Sequence, residues 1–315
     1  MGLTAYLRMA AIAGLCTGLG ACVSEQAPSR SLPAPQRPAP PPAAAQPSAA
    51  SQAVKAHFTR VQSELLSMGL LRSDGGGPDT PFNDRQLAEN FLQIALFDEY
   101  ARGPSGPVQR LTESRLRRWE QPVRVGLRFG ASVPAATRAT DTARIRSYLA
   151  RLSRLTGHPV SLSDQAPNFI VHIVNEDERR AIGPSVQAAL PGLSAGGFAG
   201  ITHMPLSPYC LVYALSDGDS GRYSRAVAVI RAEHPDLLRL SCMHEEIAQG
   251  LGLANDSPRA RPSIFNDDEE FALLTGQDEL MLRMLYSPEL RPGMSLSEAR
   301  PIVQSLARRL VGGES

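Results

Sequence analysis

Apolar positions along this chain repeat with two periods, and the change of period divides it. In AVKAHFTRVQSELLSMGLL, Phe58, Val61, Leu65, Leu66 and Met68 recur at helical spacing, and RQLAENFLQIALFDEYA keeps that period. The glycine loop SDGGGPDTP separates these two predicted helices, and Pro104 and Pro107 end the second. After Trp119 the pattern alternates: VRVGLRF has an apolar side chain at every second residue, as a half-buried strand does. Ile145, Leu149, Leu152 and Leu155 then predict a helix over 142–156. NFIVHIVN predicts an apolar strand in which His172 reads as a core or sheet-edge residue rather than a ligand. Residues 176–190 read as a helix that loosens at Gly183-Pro184. The following PGLSAGGFAGITH lacks the strand-then-helix setting of a phosphate loop and is expected to be a flexible rim. Two further strands, 210–215 and 222–232, flank the turn SDGDSG. Pro235-Asp236 opens a long amphipathic helix running through Leu240 to Gln249 and stopping at Gly252. The expected fold class is α+β, a twisted mixed β-sheet with helices, preceded by an N-terminal helical extension.

The N-terminus adds a compartment. Arg8 precedes an apolar run from Met9 to Leu19 that is too short to span a bilayer as a mature helix, which marks a secretion signal. The run ends in Leu19-Gly20-Ala21-Cys22, which resembles a bacterial lipobox; the resemblance implies that Cys22 is lipidated and begins the mature protein. An ordinary cleaved signal with a chance cysteine is the competing reading. Val23 follows, and by analogy with bacterial lipoproteins the lack of Asp there implies the periplasmic side of the outer membrane. From Val23 to about Gln52 the chain is Pro, Ala, Ser and Gln, a composition too poor in apolar bulk to fold, and it reads as a tether. The expected organisation is signal 1–21, tether 22–52, helical extension 53–118 and main domain 119–315.

Charge excludes one class of partner. The 315 residues carry 32 Lys or Arg against 31 Asp or Glu, and the densest basic stretch, 110–118, is interrupted by Glu113 and reads as a solvated helix face. No nucleic-acid partner is expected. Beyond Cys22 the mature chain has Cys210 and Cys242, and an oxidising compartment predicts a disulfide between them, stabilising by ~3 kcal/mol on the chain-entropy model. Two buried thiols are the alternative.

Candidate chemistry concentrates in MHEEIAQGLGLAND, residues 243–256. A metzincin zinc protease uses His-Glu-x-x-His-x-x-Gly-x-x-His, in which two imidazoles one helical turn apart hold the metal, the Glu is general base, and Gly lets the chain turn to bring the third ligand. Read from His244 the pattern fails at Ala248 and Leu251. Read from the next residue, Glu245 stands at the first ligand, Glu246 at the base, Gln249 at the second ligand, Gly252 at the turn and Asn255 at the third ligand, followed by Asp256. Further on come Pro262-Ser263-Ile264-Phe265-Asn266-Asp267 and a segment from Leu274 to Tyr286 with Asp278 and Leu285. These resemble the Ser-Ile-Met turn and C-terminal helix of matrixin-like metzincins, with Phe265 in the methionine's position. The resemblance implies a degenerate metzincin-like domain that lacks all three zinc-ligand histidines. The whole set, with LYSPELRPGM, also resembles an uncharacterised bacterial domain-of-unknown-function family of exported proteins, which brings no activity with it.

The donors that remain are oxygens, whereas zinc asks for nitrogen or sulfur. No cofactor is expected; calcium is the metal such oxygens suit, although they fall short of its usual complement. Glu245, Glu246, Gln249 and Asn255 read first as a hydrogen-bonded polar cluster in place of a metal. The leading function is therefore a non-catalytic pseudoprotease module that binds a peptide or envelope component in a cleft rimmed by residues 196–203. An atypical hydrolase with Glu246 as base, recruiting His203 or His244, is the alternative; a structural envelope tether is the third.

Overall fold

The computed structural model describes residues 46–103 and 106–312. The signal, Cys22 and the tether up to residue 45 lie outside them. In chain order the elements are α1 (Ala49–Ser67), α2 (Asp84–Ala95), β1 (Phe97–Gly103), β2 (Gly106–Glu113), β3 (Arg118–Trp119), β4 (Val123–Phe129), α3 (Ala135–Thr156), β5 (Val160–Leu162) and β6 (Phe169–Val174). Then follow α4 (Glu176–Ala181), α5 (Gly183–Ala189), α6 (Ala195–Thr202), β7 (Cys210–Ser216), β8 (Arg222–Arg231), α7 (Asp236–Gln249), α8 (Gly276–Leu285) and α9 (Leu296–Val311). Among the described residues no helix is long and apolar enough to cross a membrane.

The fold is mixed α+β around a six-stranded, mostly parallel sheet. Its order is β3-β8-β6-β4-β5, all parallel, and β7 runs antiparallel along β8. Strands β6 and β8 are central and buried on both faces, so FIVHIV and AVAVI read as nearly continuous apolar runs. Alternation sorts their side chains: Ala226, Ala228 and Ile230 enter the main core with α2, α3, α7, α8 and α9, while Val227 and Val229 face a smaller core with Val186, Leu190 and Ile201. His172 is buried in β6, its Nε2 has no hydrogen-bond partner, and burial lowers its pKa to about 4.

Several expectations are corrected. The second helix ends at Ala95, and the FDEYA segment turns into β1, which pairs antiparallel with β2. Residues 110–118 form no helix: they run from β2 through a short connection to β3, with Leu116 and the Arg118 side chain buried. The glycine-rich rim is instead helix α6, capped by Ser194 on the Gly197 N–H. Helix α1 starts at Ala49, so its first four residues fall inside the expected tether, because Ser48 caps it and Ser51 donates to buried Glu233 at 2.7 Å.

A buried polar network fixes the approach to β7. Glu176 accepts from Arg179 at 2.7 Å, Arg180 at 2.8 Å and Arg231 at 2.9 Å. Arg231 also donates to the carbonyls of Met204 and Pro205 and Arg179 to that of Ile201, so the network holds the chain leaving α6. From there the disulfide Cys210–Cys242 ties the start of β7 to α7, the pairing expected of these two cysteines.

Candidate functional site

A cleft of about 760 Å³ lies where β7 meets the C-terminal half of α7. Its lining includes five consecutive β7 residues, Cys210 through Ala214. Successive strand residues point to opposite faces, so a continuous run lining one cleft means that the cleft follows the strand's edge. That edge faces away from β8, the only strand with which β7 pairs among the described residues.

Of the residues singled out in the sequence, Glu245, Glu246, Gln249 and Asp256 line this cleft. Gln249 donates its Nε2 to Asp256 Oδ1 at 3.0 Å, linking α7 to the loop that follows. Asn255 does not line it. Its side chain donates to Gln93 O at 3.0 Å and its N–H to Ile94 O at 3.1 Å, which satisfies carbonyls at the C-terminal end of α2 that the helix leaves without partners. Gly252 has φ 130°, and a Cβ there would lie 2.3 Å from the Arg117 carbonyl, so the turn allows the segment before β3 to pass close beneath it. Phe265 is fully buried in the main core. Its turn is held by Asp278, which accepts from Ser263 Oγ at 2.6 Å, Ile264 N–H at 3.0 Å and Thr275 Oγ1 and N–H at 2.8 Å. Tyr286 donates to Leu251 O at 3.0 Å, tying the end of α8 to the end of α7.

His244 faces the other way. Its ring stacks on Tyr148 at 4.0 Å and its Nδ1 accepts the Leu274 N–H at 3.2 Å, while burial lowers its pKa to about 3. Neither His244 nor His203 lines the cleft, and α6 contributes nothing to it; the segment 207–209 beyond α6 forms that wall. Sequence reasoning passed over Asp98, Arg117, Tyr213, Tyr223 and Glu269, which the fold brings to the cleft from distant segments. Arg117 lay within the supposed helix face and Glu269 in the acidic run DDEE, and neither pattern carried a spatial address.

Six carboxylates, Asp98, Glu245, Glu246, Asp256, Asp267 and Glu269, line the cleft against one guanidinium, Arg117, which pairs with Asp98. Glu246 is 3% exposed, and its Oε2 is buried without a hydrogen-bond partner. Burial, with Asp256 nearby, pushes the pKa values of Glu245 and Glu246 well above the usual carboxylate range, and the two also repel each other's charge. Glu269 is raised to about 7 by burial and then by Asp256 and Asp267. These carboxyls therefore hold their protons to higher pH than isolated carboxylates do.

No curated protein and no solved structure matches the chain. A family model described as protein of unknown function (DUF2927) matches residues 84–305, from the first residue of α2 to the middle of α9 and so across the whole cleft. With most of its length and every residue of the carboxylate cluster inside that match, the chain belongs to the DUF2927 family.

Proposed function

We propose that the protein is a lipid-anchored module of the cell envelope that holds an extended peptide along the free edge of β7 without cleaving it. The supporting observation is the unbroken run of β7 residues bordering the cleft. A peptide entering there can pair its backbone with the strand edge while alternate side chains enter the cleft, as in β-strand addition. The excess of carboxylates makes acidic peptides poor occupants.

The scaffold reading is that of a degenerate, matrixin-like metzincin. In its favour are the order of strands, the helix carrying the motif, and the Ser263-Ile264-Phe265 turn braced by Asp278. The non-catalytic reading has two supports. No imidazole lines the cleft among the described residues, and the amides at the second and third ligand positions are engaged elsewhere, Gln249 on Asp256 and Asn255 on Gln93 O.

Hydrogen exchange on the full-length chain in detergent tests the peptide reading. Neutral or basic unstructured peptides are expected to protect the amides of residues 211–214, and mass spectrometry to recover those peptides intact. Cleavage abolished by Glu246→Gln would establish the hydrolase alternative. The anchor has its own test: Cys22→Ser is expected to move the protein from the membrane to the soluble fraction, and unchanged fractionation would remove the lipid from this account.

A further inference from the structure

Glu246 stands in the last turn of α7 and Glu245 just before it, although that end of a helix bears partial negative charge and favours cations. No basic residue stands in that turn, and the guanidinium lining the cleft is engaged by Asp98. One oxygen of Glu245, one of Glu246 and the Cys210 sulfur lie within 4.8 Å of one another. The sulfur belongs to the disulfide, so it has neither a proton to donate nor a thiolate to offer. Since His244 turns into the core, the facing donors are oxygens alone: Glu245, Glu246, Asp256 and the Gln249 amide.

We propose that these residues bind one hard divalent cation of the calcium class, with the Glu245 and Glu246 carboxylates as principal ligands and Asp256 beside them. Calcium–oxygen bonds of roughly 2.3–2.6 Å let one ion join oxygens up to about 5 Å apart, which accommodates the Glu245–Glu246 spacing. The cation supplies the charge that the buried Glu246 Oε2 lacks. Open cleft volume on the β7 side leaves room for water to complete its coordination. Zinc, which favours nitrogen and sulfur donors, is disfavoured by this set. The inference goes beyond peptide binding and needs only α7 and the loop after it.

The experiment uses the metal-stripped full-length chain in detergent and metal ions alone, so absence of a peptide ligand does not affect it. Isothermal titration with calcium chloride is expected to show one saturable site. Glu246→Gln and Glu245→Gln are each expected to weaken it at least tenfold, while Asp219→Asn, in the exposed β7–β8 turn, leaves it unchanged. Terbium provides a readout that requires no variant to fold: Tyr209, Tyr213 and Tyr223 line the cleft and should sensitise its emission, which calcium should quench and equimolar zinc should not. Lack of saturable calcium binding, affinity unaffected by folded Glu246→Gln, or lack of tyrosine-sensitised terbium emission would each overturn the site.

Discussion

Glu176 and Glu246 expose similarly little surface, 7% and 3%, yet their pKa values move in opposite directions. Burial alone would raise Glu176, but hydrogen bonds and charge from Arg179, with Arg180 and Arg231, outweigh it and hold the carboxyl below its ordinary value. Glu246 feels burial and the nearby Asp256, both of which raise it. One acid is surrounded by guanidiniums and braces the fold; the other has no guanidinium partner among the described residues and is the proposed site. Solvent exposure does not separate the two acids, whereas the presence of a countercharge does.

The largest expected effect breaks the paired side of this contrast. Arg231→Met leaves Glu176 without one guanidinium and frees the carbonyls of Met204 and Pro205, for an expected cost of about 3–5 kcal/mol. Glu246→Gln replaces a buried carboxyl that has no cationic partner among the described residues and is expected to stay within ~1 kcal/mol of the parent or to stabilise it. Urea denaturation at neutral pH with a chelator present compares them, and equal losses would erase the distinction. Next comes the disulfide. Replacing Cys210 and Cys242 together by alanine should cost ~3 kcal/mol and speed amide exchange in β7 while leaving α4 protected.

A pH series sharpens the unpaired side. Glu269 has a folded pKa of about 7 against 4.5 when unfolded. A carboxyl raised by folding contributes stability that is fully present below the unfolded value and is lost as pH rises through the folded one. The buried imidazoles of His172, His234 and His244 have lowered pKa values, so their contribution is present above 6.5 and lost on acidification. The readout is therefore differential: from pH 4.5 to about 8, wild type should lose ~3 kcal/mol relative to Glu269→Gln. A flat difference would mean that Glu269 is not desolvated in solution. The smallest effect separates two neighbouring residues. Asn255→Ala should cost ~1 kcal/mol through the end of α2 and leave calcium affinity unchanged, whereas Asp256→Asn should weaken calcium binding with little loss of stability. Denaturation and calorimetry on both variants check the pair.

Legibility followed the range of the interactions involved. Alternation in VRVGLRF and the unbroken apolar run of FIVHIV announced β4 and β6, because a strand's side-chain period reports its burial residue by residue. The FDEYA segment misled because Phe97 and Tyr100 continue a helical spacing, whereas pairing with residues 106–113 overrides it. The glycines at 196, 197 and 200 suggested a loop, yet Phe198 and Ile201 pack into the smaller core, and that burial supports α6 despite weak intrinsic propensity. Along MHEEIAQGLGLAND the helix and its stop were readable, and i to i+4 spacing put Glu245 and Gln249 on one face, whereas the cleft that face lines was not, since β7 supplies its other wall.

What the sequence determined by itself was thus the local grammar: the strand and helix periods after Trp119, the helix ending near Gly252, and the pair of cysteines able to bridge. Tertiary structure decided which side chains meet. It sent Asn255 to the end of α2 and Asp256 into the cleft, stacked His244 on Tyr148, and gathered Asp98, Arg117 and Glu269 around α7 from segments far apart in the chain. Periodicity specifies a direction relative to one element's axis, but a countercharge arrives from a different element. Its arrival at Glu176 and its absence at Glu246 among the described residues depend on how whole elements pack, which no short stretch of sequence encodes.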